Sequence, residues 1–213
     1  MKVMLCILIS MLICIGCGTV ASVQPIGKGN SAVTLSSGGP VAPIFDIDMP
    51  IPYSVLRYRR GLTDIMDLHV SVHPTMMIMG TIALDAGVTK HFFDSQGWRP
   101  GLSVEGGIYA FSAMSDLSLV RAYPEIGFIG HYSFAQKRRI LYFGIQSMYQ
   151  YTEPYVLLAP LVGAELVLGR VGVNIETKWY APTEQSDNRV VDYTLIPTNT
   201  GAIGFVWGIS YRF

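Results

Sequence analysis

A closed, antiparallel, up-and-down β-barrel that crosses a membrane with about ten strands is the fold this sequence predicts. Three observations carry the expectation. The final residues alternate: Phe205, Trp207, Ile209, Tyr211 and Phe213 fall on one face, and Gly204, Val206, Gly208, Ser210 and Arg212 on the other. That two-residue period is what a strand produces. The chain is 50% hydrophobic and 14% charged, against about 25% charged in average soluble domains. Yet past the N-terminus no run reaches the ~18 apolar residues of a helical span, so the apolar content arrives in short alternating segments, as membrane strands require. Lastly, when the apolar set of each strand is turned outward, nearly all the charge falls inward.

The elements follow in chain order. Met1 to Gly16 reads as an export signal, with Lys2 as its positive charge and Val3 to Ile15 as its apolar core, too short for a membrane helix. Two processing readings compete. Cys14-Ile15-Gly16-Cys17 resembles a lipobox, which implies lipidation of Cys17 as the mature N-terminus, although Cys14 stands where that motif usually has Leu. The alternative is ordinary cleavage after Ala21 or Ser22. Cys6, Cys14 and Cys17 are the three cysteines. The exported body therefore has no thiol for a disulfide, a zinc thiolate or a nucleophile. The expected organisation is a signal over 1–17 (or to about 21–22), a flexible tether over 18–30 and a barrel over 31–213.

Within the barrel the alternation predicts strands at 31–37, 53–60, 67–73, 82–92, 101–111, 122–134, 140–151, 156–168, 171–181 and 201–213. Eight or twelve strands are the alternatives. Residues 61–66, 94–100, 135–139 and 169–170 read as compact turns, and 40–52, 112–121 and 182–200 as longer loops. Barrels of this kind have short periplasmic turns and longer external loops, and an even strand count puts both termini on the periplasmic side. Met76 to Met79 reads as strand extension or lipid contact. The strand at 156–168 is apolar on both faces except for Glu165, and Pro160 removes one ladder donor, which suggests a bulge or an edge-like defect; a plug or an oligomer contact is the alternative account.

Alternation alone does not say whether the apolar face meets lipid or a core; a soluble barrel has the same period with its faces inverted. Charge decides. Arg57, Arg59, Asp67, His69, His73, Asp85, Glu105, Glu125, His131, Glu165, Glu176, Lys178 and Arg212 all fall inward, and only Arg60 and Lys90 fall outward, near strand ends. A lipid-facing Arg or Lys at mid-depth costs about 2–4 kcal/mol. Tyr58, Phe92, Tyr132, Phe134, Tyr151, Trp179 and Tyr211 sit near strand ends, where interfacial aromatic girdles form.

The inward set reads as a lumenal network in which buried charges pair and stiffen the barrel; a narrow pore or ligand pocket for small solutes is the alternative. A third reading is a lipid-modifying hydrolase. It rests on His69, Ser71 and His73, which share a face, with Asp85 on the next strand: the parts for acyl transfer. No Gly-x-Ser-x-Gly elbow accompanies them, and imidazoles on a lumen face are more often structural or a weak metal site. No cofactor or metal pattern is present. The zero formal net charge argues against nucleic-acid binding. Oligomeric state is open.

The segment Tyr58 to Leu68 (YRRGLTDIMDL) and the ending Tyr211-Arg212-Phe213 resemble the hairpins and closing strand of small bacterial outer-membrane β-barrel proteins as a class. Gly61 permits the turn and Thr63-Asp64 supply local side-chain hydrogen bonds. The resemblance implies residence in the outer membrane of a Gram-negative-type bacterium among its lipids. It also implies recognition by the barrel-assembly machinery through Tyr211 and Phe213. It implies an architecture and no activity, so the expected role is structural or surface-interacting rather than enzymatic.

Overall fold

The computed structural model describes residues 19–44, 47–50, 53–151, 153–185 and 200–213; the expected signal and Cys17 lie outside them. Ten antiparallel strands form the barrel wall. They are β1 (Ser31–Ile44), β3 (Ser54–Thr63), β4 (Met66–Val72), β5 (Thr81–Phe93), β6 (Gly101–Ala113), β7 (Asp116–Phe134), β8 (Arg139–Tyr149), β9 (Val156–Leu168), β10 (Val171–Gln185) and β11 (Thr200–Arg212). Each pairs with the next, and β11 returns to β1 from Ala32↔Arg212 to Pro40↔Gly204. Closure matters physically: lipid offers no hydrogen bonds, so a spanning sheet needs every edge paired.

The two faces are as different as the sequence predicts. Leu84, Phe128, Phe143, Val162, Ile175 and Phe205 are 44–63% exposed, while their neighbours Asp85, Ile129, Leu161, Glu176 and Val206 are at most 3% exposed. Large apolar side chains outside and ionised ones inside is the arrangement of a barrel whose solvent is lipid, and the reverse of a soluble one. All ten expected strands are present.

The ends differ from expectation. Of residues 40–52, expected as a loop, 40–44 continue β1, whose distal end pairs with the short strand β2 (Ile47–Pro50) from Val41↔Pro50 to Ile44↔Ile47; 45–46 and 51–52 lie outside the described residues. Residues 112–121 likewise belong to a long β6–β7 hairpin that reaches Ala113↔Asp116. Asp116 braces its turn: the Ser118 hydroxyl and backbone N–H donate to its carboxylate at 2.6 and 3.0 Å, which holds that carboxyl below its usual range. Met76 to Met79 is not strand extension. Pro74–Ile78 form one helical turn, α1, with Pro at its start, where its missing N–H costs nothing. Of the expected loop 182–200, residues 182–185 continue β10 and Thr200 opens β11; 186–199 lie outside the described residues.

Turns of two residues join β3–β4 and β9–β10 at the end where Ser31 and Phe213 exchange backbone hydrogen bonds of 2.9 and 2.8 Å. Connections at this end span two to seven residues, whereas at the other end, where β6–β7 is also a two-residue turn, they reach fourteen between β10 and β11; by the turn-length rule this end is the expected periplasmic one. Pro160 causes no bulge: it pairs in register with Ile145, and the β9–β10 ladder ends one residue away, at Leu161↔Lys178.

Candidate functional site in the barrel lumen

The lumen holds what the sequence assigned to it and one element it did not. Of the thirteen inward groups named above, eleven are buried, and Glu125 and Arg212 are half-buried. Strand geometry alone does this, since residues two apart share a face.

Four clusters result. In the first, Arg57 on β3 donates to Glu105 Oε1 at 3.2 Å, to Asp85 Oδ1 at 3.3 Å and through Nε to Ser71 Oγ at 3.0 Å. In the second, Arg59 donates to Asp67 at 2.5 Å, with His91 Nε2 3.7 Å from the same carboxylate. In the third, Lys178 lies 3.0 Å from Glu176 and donates to Gln146 at 2.7 Å. In the fourth, Arg212 lies 3.0 Å from Glu165. His91 is absent from the expected set although it stands six residues after Asp85, on the same face, and is buried.

The candidate hydrolytic trio comes together with different roles. The Ser71 hydroxyl donates to Asp85 Oδ1 at 2.8 Å and accepts from Arg57, so its proton is committed to a carboxylate and not to an imidazole. His73 bridges Asp85 Oδ2 at 2.8 Å and the Tyr53 hydroxyl at 2.9 Å. His69 is 1% exposed, and neither ring nitrogen has a hydrogen-bond partner. Its Nε2 points at Glu105 and Asp85 from 3.5 and 3.7 Å. His131 is also buried with both nitrogens unpartnered.

The unforeseen element is the stretch expected as a tether. From Thr19 to Ile26 it runs inside the barrel, with Val20, Ala21, Ser22, Val23, Gln24 and Ile26 at most 7% exposed. The lumenal charges hold it by its main chain. Its amides at Ala21 and Ile26 donate to Glu176 (3.1 Å) and Asp67 (3.3 Å). Its carbonyls at Thr19, Val23 and Gln24 accept from Lys178 (2.8 Å), Ser103 (3.0 Å) and Arg59 (2.9 Å). Ala21 and Val23 also pack on Ile129, Ile140, Tyr142 and Leu161, which explains why β9 is apolar on both faces. Full burial of Val20, Val23 and Ile26 contributes about 1.5–3 kcal/mol each.

Gly61 makes room for the segment where it leaves the lumen. Gly29 N–H and Asn30 C=O pair with the Gly61 backbone at 2.9 and 3.0 Å, and a Cβ on Gly61 would sit 1.9 Å from the Gly27 carbonyl oxygen. The cavity left between the segment and the wall, lined by Thr34, Arg57, Glu165 and Ser210, measures about 20 Å³, room for about one water.

Tyr211 and Phe213 stack on the outer face with ring centroids 6.3 Å apart, beside the periplasmic end of β1.

No protein-family model and no curated protein matches the chain. Solved structures do. The translocator domain of the autotransporter NalP from Neisseria meningitidis aligns at 9% identity over 88% of this chain and 89% of that one, TM-score 0.46. The outer membrane protease OmpT from Escherichia coli aligns at 11% over 87% and 94%, TM-score 0.35. The in-vitro folded outer membrane protein OmpT of Vibrio cholerae, in its trimer form, aligns at 13% over 76% of this chain, which spans 56% of that longer one, TM-score 0.35. These neighbours are bacterial outer-membrane barrels; at such scores the closed ladder and the lipid-facing belt, rather than the likenesses, carry the architecture. The protein is a closed ten-stranded antiparallel β-barrel with an apolar, lipid-facing outer belt.

Proposed function

We propose that this barrel is closed by its own N-terminal segment and serves a structural or surface-interacting role rather than conducting solutes or catalysing a reaction. The observation that carries the reading is the main-chain grip on residues 19–26, beside which the cavity lined by Thr34, Arg57, Glu165 and Ser210 measures about 20 Å³. A surface role is supported by β7, whose exposed Leu117, Leu119 and Val120 extend beyond its pairing with β8, which starts at Glu125↔Met148. The commitment of Ser71 to Asp85 and Arg57 supports the non-catalytic part.

Planar-bilayer recording tests closure. Folded full-length protein is expected to give no steady conductance. A variant lacking residues 19–27, exported with the same leader, is expected to show discrete openings. Steady conductance from the intact chain, or silence from the folded deletion variant, would contradict closure by this segment.

A further inference from the structure

We infer that the lumen contains a binding site for one divalent first-row transition cation of the zinc or manganese class, held by His69, Asp85 and Glu125. Each offers one ligand atom, and these atoms lie within 4.8 Å of one another. Two bonds of about 2.0–2.2 Å to a shared ion span at most about 4.4 Å, so a shift of roughly half an ångström closes the set. Glu125 supplies it: its side chain is half-buried and long enough to swing.

His69 gives independent support. An imidazole that is 1% exposed with both nitrogens unpartnered loses its hydration without compensation, at about 1–3 kcal/mol for an unsatisfied group. Its Nε2 is nevertheless aimed between two carboxylates, at distances too long for hydrogen bonds and suited to an intervening ion. The sheet is cut to allow that aim. Gly87 stands directly opposite His69, and a Cβ there would lie 2.8 Å from both His69 Cε1 and Nε2.

Charge points the same way. Asp85, Glu105 and Glu125 carry three negative charges around His69, and Arg57 returns one positive charge to Asp85 and Glu105. Lys178 is engaged with Glu176, Gln146 and Thr19. With neutral imidazoles and ionised carboxylates the cluster is net negative, which a divalent ion offsets. Glu105, whose Oε1 lies 3.5 Å from His69 Nε2, keeps its Oε2 buried and unpartnered beside the cluster. The His73 bridge from Tyr53 orients Asp85 from behind, the outer-shell support that metal-bound carboxylates have. The imidazole ligand selects a transition metal over magnesium or calcium, which prefer all-oxygen sets. A bound ion would tie β4, β5 and β7 together across the lumen.

Folded protein in detergent, stripped with a chelator, is titrated with Zn²⁺ by calorimetry, and the bound metal is counted by mass spectrometry. One Zn²⁺ per barrel is expected, not displaced by excess Mg²⁺. His69→Ala and Glu125→Gln are each expected to weaken it at least about tenfold, the lower end of what even an outer-shell loss costs. His131→Ala removes a buried unpartnered imidazole outside the cluster and should leave binding unchanged. Heat-modifiable gel migration identifies folded variants, and half-buried Glu125→Gln serves if His69→Ala does not assemble. Failure of the folded parent to hold Zn²⁺, or equal binding by parent and Glu125→Gln, overturns the site.

Discussion

Replacing Arg57 with leucine is expected to destabilise the folded barrel by about 3–5 kcal/mol, the cost of leaving buried partners of a removed charge uncompensated. Arg57 is 3% exposed and bridges Asp85 and Glu105, which are 3% and 4% exposed. Without it, two buried carboxylates are left uncompensated, and Ser71 Oγ loses the Nε donor. Urea titration of the refolded protein in vesicles reads the effect. Adding Glu105→Gln to Arg57→Leu removes one of the stranded charges and should recover part of the loss. Arg60→Leu is the control: Arg60 lies on the outer face and donates to Ser31 Oγ at 2.8 Å, and exposed interactions of this kind contribute about 0–1 kcal/mol. Equal stability of Arg57→Leu and the parent would show that the lumenal pairs do not hold the wall together.

The second large effect is expected on the opposite face. Val162 is the middle residue of the thirteen-residue β9 and is 58% exposed, flanked across the ladders by Phe143 and Thr177. Val162→Arg should cost about 2–4 kcal/mol by placing a guanidinium among acyl chains near the membrane midplane. Leu117→Arg, on the external part of the β6–β7 hairpin and similarly exposed at 59%, should cost no more than about 1 kcal/mol. Folding free energies in the same vesicles check both. Matching penalties at the two sites would mean that exposure at Val162 is not exposure to lipid.

These two faces are also where the sequence was most legible. The segments at 171–181 and 201–213 alternate cleanly because each successive residue meets a different solvent, lipid or lumen, and the chemistry must alternate with it. Where that contrast ends, so does the signal. Asp116 to Arg121 are exposed on both faces, so water surrounds this part of β7 and nothing forces a period of two. The single turn of α1 was hidden because five residues cannot display a helical period, and Pro74 was its one local mark.

The lumenal segment was illegible for a different reason. Its attachments are backbone amides and carbonyls gripped by Asp67, Glu176, Lys178 and Arg59. Main-chain recognition leaves little trace in the side chains of the residue recognised. Only the small size of Ala21 and Ser22 and the spacing of Val20, Val23 and Ile26 hinted at a narrow apolar channel. The partner surface was visible, however, as the unexplained apolar inner face of β9 that Leu161 provides. Among the charged groups, alternation told which face each occupied but not its partner. Pairing across strands depends on register, and a shift of one residue reverses every face. His91 was readable by the same parity that placed Asp85.

The central claim is that one face of each strand meets lipid while the other is sealed within the lumen around the N-terminal segment. Single cysteines at residues 161 to 166 of β9, in a body that has no cysteine of its own, would carry spin labels for power-saturation measurement in vesicles. Labels at 162, 164 and 166 should collide with dissolved oxygen as lipid-facing sites do, and those at 161, 163 and 165 should be shielded from both oxygen and a water-soluble nickel chelate. Nickel access at 162, 164 and 166, with oxygen access shifted to the alternate set or absent, would contradict the account.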